Sequence, residues 1–389
     1  MTNDSRVMVR ISDVAEIVTG STPSSTFSDN WGGEVPFLTP SDMSDVEFWP
    51  RTSRSLSDRA AAKLATRLIS KPSVAVVCIG ATIGKVARIS RPTITNQQIN
   101  TIVPDPNRLD PLYCFYALQT MHEDLKRIAS GSATPLLNKS RFGEVTLELP
   151  PVEEQRRIAK VLGSLDELIE LNLRLARESS DLCEKLWDKA FSGITETVKV
   201  IDVANVVLGG TPSRARSNYW GGDIPWLNSS KANEFRVLEA TETITSEGLN
   251  SSSTKMMPIG TTIIAITGST LGQISRLEVA ACGNQSLVGV FADKIDVNDF
   301  LYFALRNRVE VLMRSATGGA QQHVNKADVE NLELPKPVPR NLEAWHETAG
   351  PLMRGTADLL FEAEQLKRAK SFLLDRLICG DLLASEVAA

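Results

Sequence analysis

The sequence predicts an α+β protein: two similar globular units separated by a long antiparallel two-helix coiled coil. Three observations carry that expectation. The stretch from Pro150 to Gly193 reads as one helix too long for a small domain. The segments before and after it repeat each other, their opening motifs at a constant offset, and a second helical stretch follows the second copy. The boundaries read as 1–150 and 196–335 for the globular units, and 151–195 and 336–389 for the helices.

The first copy opens with RISDVAEIVTG at residues 10–20, where Asp13 is expected to cap a short apolar helix that Gly20 closes. A turn-rich loop follows and runs into a strand. Thr22-Pro23-Ser24 matches Thr211-Pro212-Ser213, and Trp31-Gly32-Gly33 matches Trp220-Gly221-Gly222, each pair 189 residues apart. Pro36-Phe37-Leu38 likewise matches Pro225-Trp226-Leu227. Short helices are expected over Ser57–Ile69 and Thr245–Met257, each before an apolar strand. The strands then turn through Gly80-Ala81-Thr82-Ile83-Gly84-Lys85 and Gly268-Ser269-Thr270-Leu271-Gly272-Gln273. Thr95-Asn96-Gln97-Gln98 answers Gly283-Asn284-Gln285-Ser286, helices follow around 112–129 and 300–316, and both copies close on Leu-Glu-Leu-Pro at 147–150 and 332–335. Trp31 and Trp220, each beside a double glycine, read as packing anchors.

The long helix starts after two prolines with Glu153-Glu154-Gln155, whose two glutamates suit the positive end of a helix dipole. Ile158, Leu165, Asn172, Ser179 and Leu186 recur every seven residues, and Val161, Leu168, Leu175 and Leu182 lie three further on. That is a heptad seam, with Asn172 as the polar residue that sets register. A helix of roughly 38 residues is about 57 Å long. In the second helix the lines are Leu352, Leu359, Leu366, Leu373 and Thr356, Ala363, Lys370, Leu377. Two such helices, each following its own globular unit, can lie antiparallel and bury each other's seams, giving a pseudo-two-fold internal repeat.

Composition narrows the function classes. With 389 residues, 42% hydrophobic and 23% charged, the chain fits two or three domains of a water-soluble protein. Five scattered cysteines form no CxxC pair, the N-terminus lacks a signal-peptide core, and no apolar run is long enough for a bilayer. A cytoplasmic location without a membrane partner is expected. Gly80 to Lys85 invites a phosphate-loop reading, but the spacing is one residue short, Val86 replaces the hydroxyl, and the second copy has Gln273 in place of Lys85. The three histidines, His122, His323 and His346, lack metal spacing, and no hydrolase or methyltransferase motif is present. Neither catalysis nor a bound cofactor or metal is expected in this chain.

The net charge of −5 argues mildly against a nucleic-acid partner, but the charges are segregated. Acids crowd the helices, while bases gather in the loops. Polar side chains able to read base edges recur at matching loop positions. In the first half the candidates for DNA contact are Ser21, Thr22, Ser24, Ser41, Thr82, Lys85, Arg88, Asn96, Gln97, Gln98, Lys139 and Arg141. In the second half they are Thr211, Arg214, Arg216, Asn228, Ser230, Lys231, Ser269, Thr270, Gln273, Asn284, Gln285, Gln321, Gln322, His323 and Lys326.

The run LPPVEEQRRIAKVLGSLDELIELN and the paired openings GSTPS…WGGEVPFL and GGTPS…WGGDIPWL resemble the specificity subunit of type I restriction-modification systems. The resemblance covers essentially the whole chain, although the second helix lacks the Glu-Glu-Gln triplet. It implies two target-recognition domains, each reading one half of a split, asymmetric site on double-stranded DNA, with helical spacers that fix the gap between halves. It also implies a non-catalytic subunit that joins two modification (methyltransferase) subunits, which bring S-adenosylmethionine, with or without two restriction subunits, which use ATP and Mg. A methylation-only or phage-exclusion complex without a nuclease, a coiled-coil scaffold that binds no DNA, and an enzyme with an unrecognised site remain as alternatives.

Overall fold

The computed structural model describes residues 6–24, 27–43, 50–129, 135–314, 316 and 323–387. The chain divides into two compact units, Met1–Leu171 with Ala363–Ala389 and Asn172–Glu362.

The first unit begins with β1 (Val7–Arg10), α1 (Ile11–Val14) and β2 (Ala15–Thr19). The helix expected up to Gly20 is therefore a single turn, and Asp13 lies inside it, with Arg10 at the cap. Tertiary pairing overrides the local helical pattern here, because Ile17, Val18 and Thr19 suit a pleated surface and pair with Ile102, Thr101 and Asn100. Next come β3 (Trp31–Leu38), β4 (Arg54–Leu56), α2 (Asp58–Lys63), β5 (Ser73–Val77), β6 (Val86–Ile89), β7 (Ile94–Thr95) and β8 (Ile99–Pro104). The unit's globular part closes with α3 (Pro111–Thr120), α4 (His122–Ala129), α5 (Lys139–Gly143) and β9 (Thr146–Leu149). One sheet has the order β2-β8-β5-β6, a second β4-β3-β7, and β1 pairs with β9. Tyr113, Phe115, Tyr116 and Leu118 of α3 share a core with Val74, Val76 and Ile102 of the four-stranded sheet.

Helix α6 (Val152–Phe191) runs 40 residues without a break. The second unit then repeats the first as β10 (Thr197–Lys199), α7 (Val200–Val203), β11 (Asn205–Leu208), β12 (Trp220–Leu227), β13 (Glu242–Ile244), α8 (Ser246–Asn250), β14 (Thr262–Ala265), β15 (Ile274–Arg276), β16 (Cys282–Gly283), β17 (Leu287–Phe291), α9 (Ile295–Arg314), α10 (Lys326–Glu330) and β18 (Glu333–Pro335). Its sheets have the orders β11-β17-β14-β15 and β13-β12-β16, and β10 pairs with β18. Strand for strand this is the topology of the first unit. The Trp-Gly-Gly motifs mark the same register shift in both, between Trp31 and Val35 and between Trp220 and Ile224. Helix α11 (Pro339–Cys379) and α12 (Ala384–Val387) end the chain.

Within each unit the long helices run in opposite directions. In the first, Ala384 N donates to Glu154 at 3.2 Å and Lys370 to Asp166 at 2.7 Å. In the second, Asn341 donates to the Ala190 carbonyl at 3.3 Å and Cys183 lies 3.7 Å from that of Ala349. The Ile158–Asn172 line of α6 faces inward as expected. The second line, however, is Leu162, Ile169, Ala176 and Cys183, one residue beyond the expected one. Leu168, Leu175 and Leu182 are 38%, 38% and 46% exposed. The cause is that α6 buries itself against a globular unit as well as a helix, which demands a wider apolar face than a two-line coiled-coil seam. In α11 Thr356, Ala363 and Leu377 of one expected line are fully buried and Lys370 between them is half-buried, while the expected line of Leu352, Leu359, Leu366 and Leu373 is only half-buried, with Met353 and Leu360 buried beside it. Asn172 is buried with no partner for its Nδ2 among the described residues.

Buried polar networks fasten the long helices to the globular parts. In the first unit Tyr116 donates to Asp166 at 2.6 Å, and Lys370 pairs with the other oxygen of that carboxylate. Burial and the Asp166 charge push the Tyr116 phenol far above its ordinary pKa. In the second unit Arg276 bridges Glu278 and Asp299 at 2.7 Å each, Arg236 adds a 3.1 Å contact to Glu278, and His346 of α11 meets Asp299 at 3.0 Å. Replacing Arg276 by Met leaves buried Glu278 with Arg236 alone and buried Asp299 with His346 alone, so urea unfolding should show a loss of about 3 kcal/mol. The hydrogen bond to Asp299 raises the His346 pKa above its usual 6.5 despite partial burial. A raised folded-state pKa stabilises fully below the unfolded value and is lost as pH climbs through the folded one. Stability should therefore fall as pH rises above about 6.5, and His346→Gln should fall less over that window.

Candidate nucleic-acid interface

In the first unit Gly20 N donates to Ile99 O at 3.0 Å and Ser21 N to Thr95 O at 2.9 Å, laying the 20–24 loop on the turn between β7 and β8. A Cβ at Gly20 would sit 2.0 Å from the Asn96 carbonyl oxygen, so only glycine permits this approach. Across the contact Thr22 Oγ1 donates to Gln97 Oε1, and both side chains are exposed. Asn96 is buried. Its Oδ1 accepts from Gln98 N at 3.0 Å, its Nδ2 donates to Gln98 Oε1 at 3.1 Å, and its backbone N–H reaches Leu38 O. Asn96 thus shapes the turn and ties it to β3, while Gln97 points outward.

Beyond β3, Asp42 accepts from Thr39 N and Oγ1 and from Ser53 N. Burial works to raise its pKa, but these hydrogen bonds outweigh burial and hold it below the usual carboxylate value. Ser41 is exposed and shares a 2.8 Å hydrogen bond with Thr39. Gly80 and Gly84, both at positive φ, reverse the β5–β6 hairpin and bring Lys85 Nζ to 3.4 Å from Met43 O. The structure therefore brings Ser21, Thr22, Ser24, Ser41, Thr82, Lys85, Gln97 and Gln98 into one set of adjoining loops. It does not bring Arg88 there. That side chain is partly buried toward the long helices, where burial depresses its pKa against the opposing pull of the Asp166 carboxylate. Arg88 lines a cavity of about 250 Å³ with Arg51, Arg91 and Glu170. Arg141 is spent on the Ile128 carbonyl at the end of α4, at 2.8 Å, and Lys139 is exposed at the start of α5.

The second unit rebuilds the same loops. Gly209 N reaches Leu287 O at 2.9 Å and Gly210 N reaches Gly283 O at 2.8 Å, while Thr211 donates to Gln285 at 2.5 Å. Asn284 again accepts from the residue two on, here Ser286 N, and donates from its backbone to Leu227 O. Asn228 accepts from Ser230 N at 2.9 Å, and Lys231 pairs with Glu234 at 2.7 Å. Ser269 and Gln273 are exposed on the β14–β15 hairpin, and Thr270 is buried in it. His323 bridges to Thr267, placing the start of the 323–326 segment beside that hairpin, and Lys326 pairs with Glu330 at 3.0 Å. Gln321 and Gln322 lie outside the described residues. Arg216 donates to the Tyr219 hydroxyl at 2.6 Å. Arg214 clasps Glu242 through two hydrogen bonds, of 2.6 and 2.8 Å, and stacks 3.5 Å above Trp220, which meets Trp226 edge-on. In the first unit Arg54 takes that place over Trp31, at 3.3 Å. Sequence reasoning missed Arg54 and Glu242, because the only available signal is a basic or acidic residue on the strand opposite Trp-Gly-Gly.

Among the described residues no cluster of His, Cys, Asp and Glu could hold a metal ion, and no helix is long and apolar enough to cross a membrane. The two segments that carry the repeated loops match the family model of the type I restriction modification DNA specificity domain, at residues 3–178 and 195–341. The chain belongs to this family, and its function is DNA sequence recognition. It is similar along nearly its whole length to the type I restriction enzyme MjaIX specificity subunit of Methanocaldococcus jannaschii, with 25% identity over 97% of this chain and 94% of the relative. The HindI specificity subunit of Haemophilus influenzae is 37% identical over 38% of this chain and 32% of its own length. The crystal structure of a type I restriction-modification S subunit from M. genitalium shares the fold, with a TM-score of 0.67 at 15% identity and 97% of each chain covered.

The glycine approach generates a direct test. A Cβ at Gly209 would lie 2.1 Å from Asn284 O. Gly209→Ala should cost about 1–3 kcal/mol by forcing the loop off the turn. Amide exchange at Gly210 should accelerate while the β12 amides keep their protection; unchanged exchange at Gly210 would contradict the close approach.

Proposed function

We propose that the chain is the target-reading, non-catalytic subunit of a type I restriction-modification complex, each unit reading one half of a bipartite, asymmetric site. One observation carries this reading: the same strand order and loop scaffold occurs twice, with different residues on equivalent exposed loops. A module copied to read one sequence twice would have no use for that divergence. Neutral and basic side chains of the loop set suit base edges and phosphates, and the acidity of the whole chain is tolerable where partner subunits supply phosphate contacts.

In this reading the long helices set the gap between half-sites and dock two modification subunits. The exposed leucines of α6, Leu168 and Leu171 in the first unit and Leu175 and Leu182 in the second, support a role for that helix in holding apolar partners. The modification subunits bring S-adenosylmethionine, and restriction subunits, where present, bring ATP and Mg. The complex works on cytoplasmic DNA.

Mapping methylated adenines produced by the intact complex tests the proposal. Replacing residues 1–150 with the equivalent part of a relative should change one half of the methylated motif and leave the other untouched. A change in both halves would mean that the units do not read independently.

A further inference from the structure

The two units agree at some exposed loop positions and differ at others, and this division itself carries information. The Thr22–Gln97 and Thr211–Gln285 pairs are the same bond on the same scaffold, made between a loop entered through a closely approaching glycine and the outward residue of an Asn-led turn. Exposed side-chain pairs of this kind contribute little to stability and immobilise a rotamer-rich glutamine. With the carboxamide oxygen held by the threonine hydroxyl, Nε2 keeps two N–H donors for a partner.

Identical groups in identical settings cannot distinguish two different half-sites. The hairpin beside each turn does differ. Val77 N donates to Lys85 O at 2.9 Å, and Ala265 N to Gln273 O at 2.9 Å, which makes Lys85 and Gln273 structurally equivalent. Cys78 N reaches Gln98 O and Ile266 N reaches Ser286 O, so each hairpin leads into its turn in the same way, but with Gln98 in one unit and Ser286 in the other. Lysine is a donor suited to guanine, whereas glutamine offers the donor and acceptor that match adenine.

We infer that the Thr22–Gln97 and Thr211–Gln285 pairs grip the sugar–phosphate backbone without regard to sequence, and that base choice falls to the divergent hairpin positions, Lys85 in the first unit and Gln273 in the second. The inference rests on the DNA-reading function proposed above and assigns residues within it. Phosphate contacts fix register and orientation, and base contacts specify.

The test uses the full chain in complex with its methyltransferase subunits and a pool of randomised DNA duplexes. Gln97→Ala and Gln285→Ala should each weaken binding to selected and scrambled duplexes by the same factor, about 5-fold, with the selected motif unchanged. Gln97→Glu keeps the shape but faces phosphate with a carboxylate, and should bind both duplexes more weakly than Gln97→Ala. Lys85→Gln should alter the preferred base in one half-site, and Gln273→Lys in the other. A motif shifted by Gln97→Ala, wild-type binding by Gln97→Glu, or a motif unmoved by both hairpin exchanges would overturn the assignment. A wild-type complex that selects no motif would defeat the DNA-reading function and this assignment together.

Discussion

The structure depends on the width of the buried face that each long helix must present. A helix that met only another helix could bury two lines of side chains. Here α6 also completes a globular core, so its buried set shifts and broadens to include Leu162, Ile169, Ala176 and Cys183. In the first unit Ile158, Ala159 and Leu162 belong to the same core as Val74 and Tyr113. In the second, Trp187 and Phe191 stack with Phe300 and Trp345. The helices are therefore structural members of both units and not tethers between finished domains. The buried polar networks follow from the same constraint, because the side chains of Asp166, Asp299 and His346 meet their partners only once helix and core have closed on each other.

That rigid footing explains how loops can diverge while their placement does not. Backbone hydrogen bonds from Gly20, Ser21, Gly209 and Gly210, the Asx turns at Asn96 and Asn284, and the glycine-bounded hairpins are common to both units. Side chains riding on this frame can change without moving it, which is how one scaffold can serve two recognition tasks.

Much of this was legible in the sequence because it is carried by spacing. The 189-residue offset, the paired Leu-Glu-Leu-Pro closures and the glycine-bounded turns all correspond to elements that repeat in space. What was not legible depended on partners distant in the chain. Residues 15–19 look helical until β8 pairs with them. The second seam line of α6 looks like Leu168 and Leu175 until a globular core competes for the helix. Arg88 reads as a loop cation, yet it leans toward Tyr116 and Asp166. Asn96 reads as a base reader, but its amide is consumed in shaping a turn.

The last 27 residues, Ala363–Ala389, belong to the first unit. Leu377 is fully buried in that unit's core, and Arg6 donates to the Leu377 carbonyl at 3.1 Å. During synthesis the opening segment must therefore wait, with an unfinished hydrophobic surface, until the ribosome delivers the closing one. A chain that lacks the segment from Ala363 onward leaves the core of the first unit open, so damage at one end of the sequence is felt hundreds of residues away at the other.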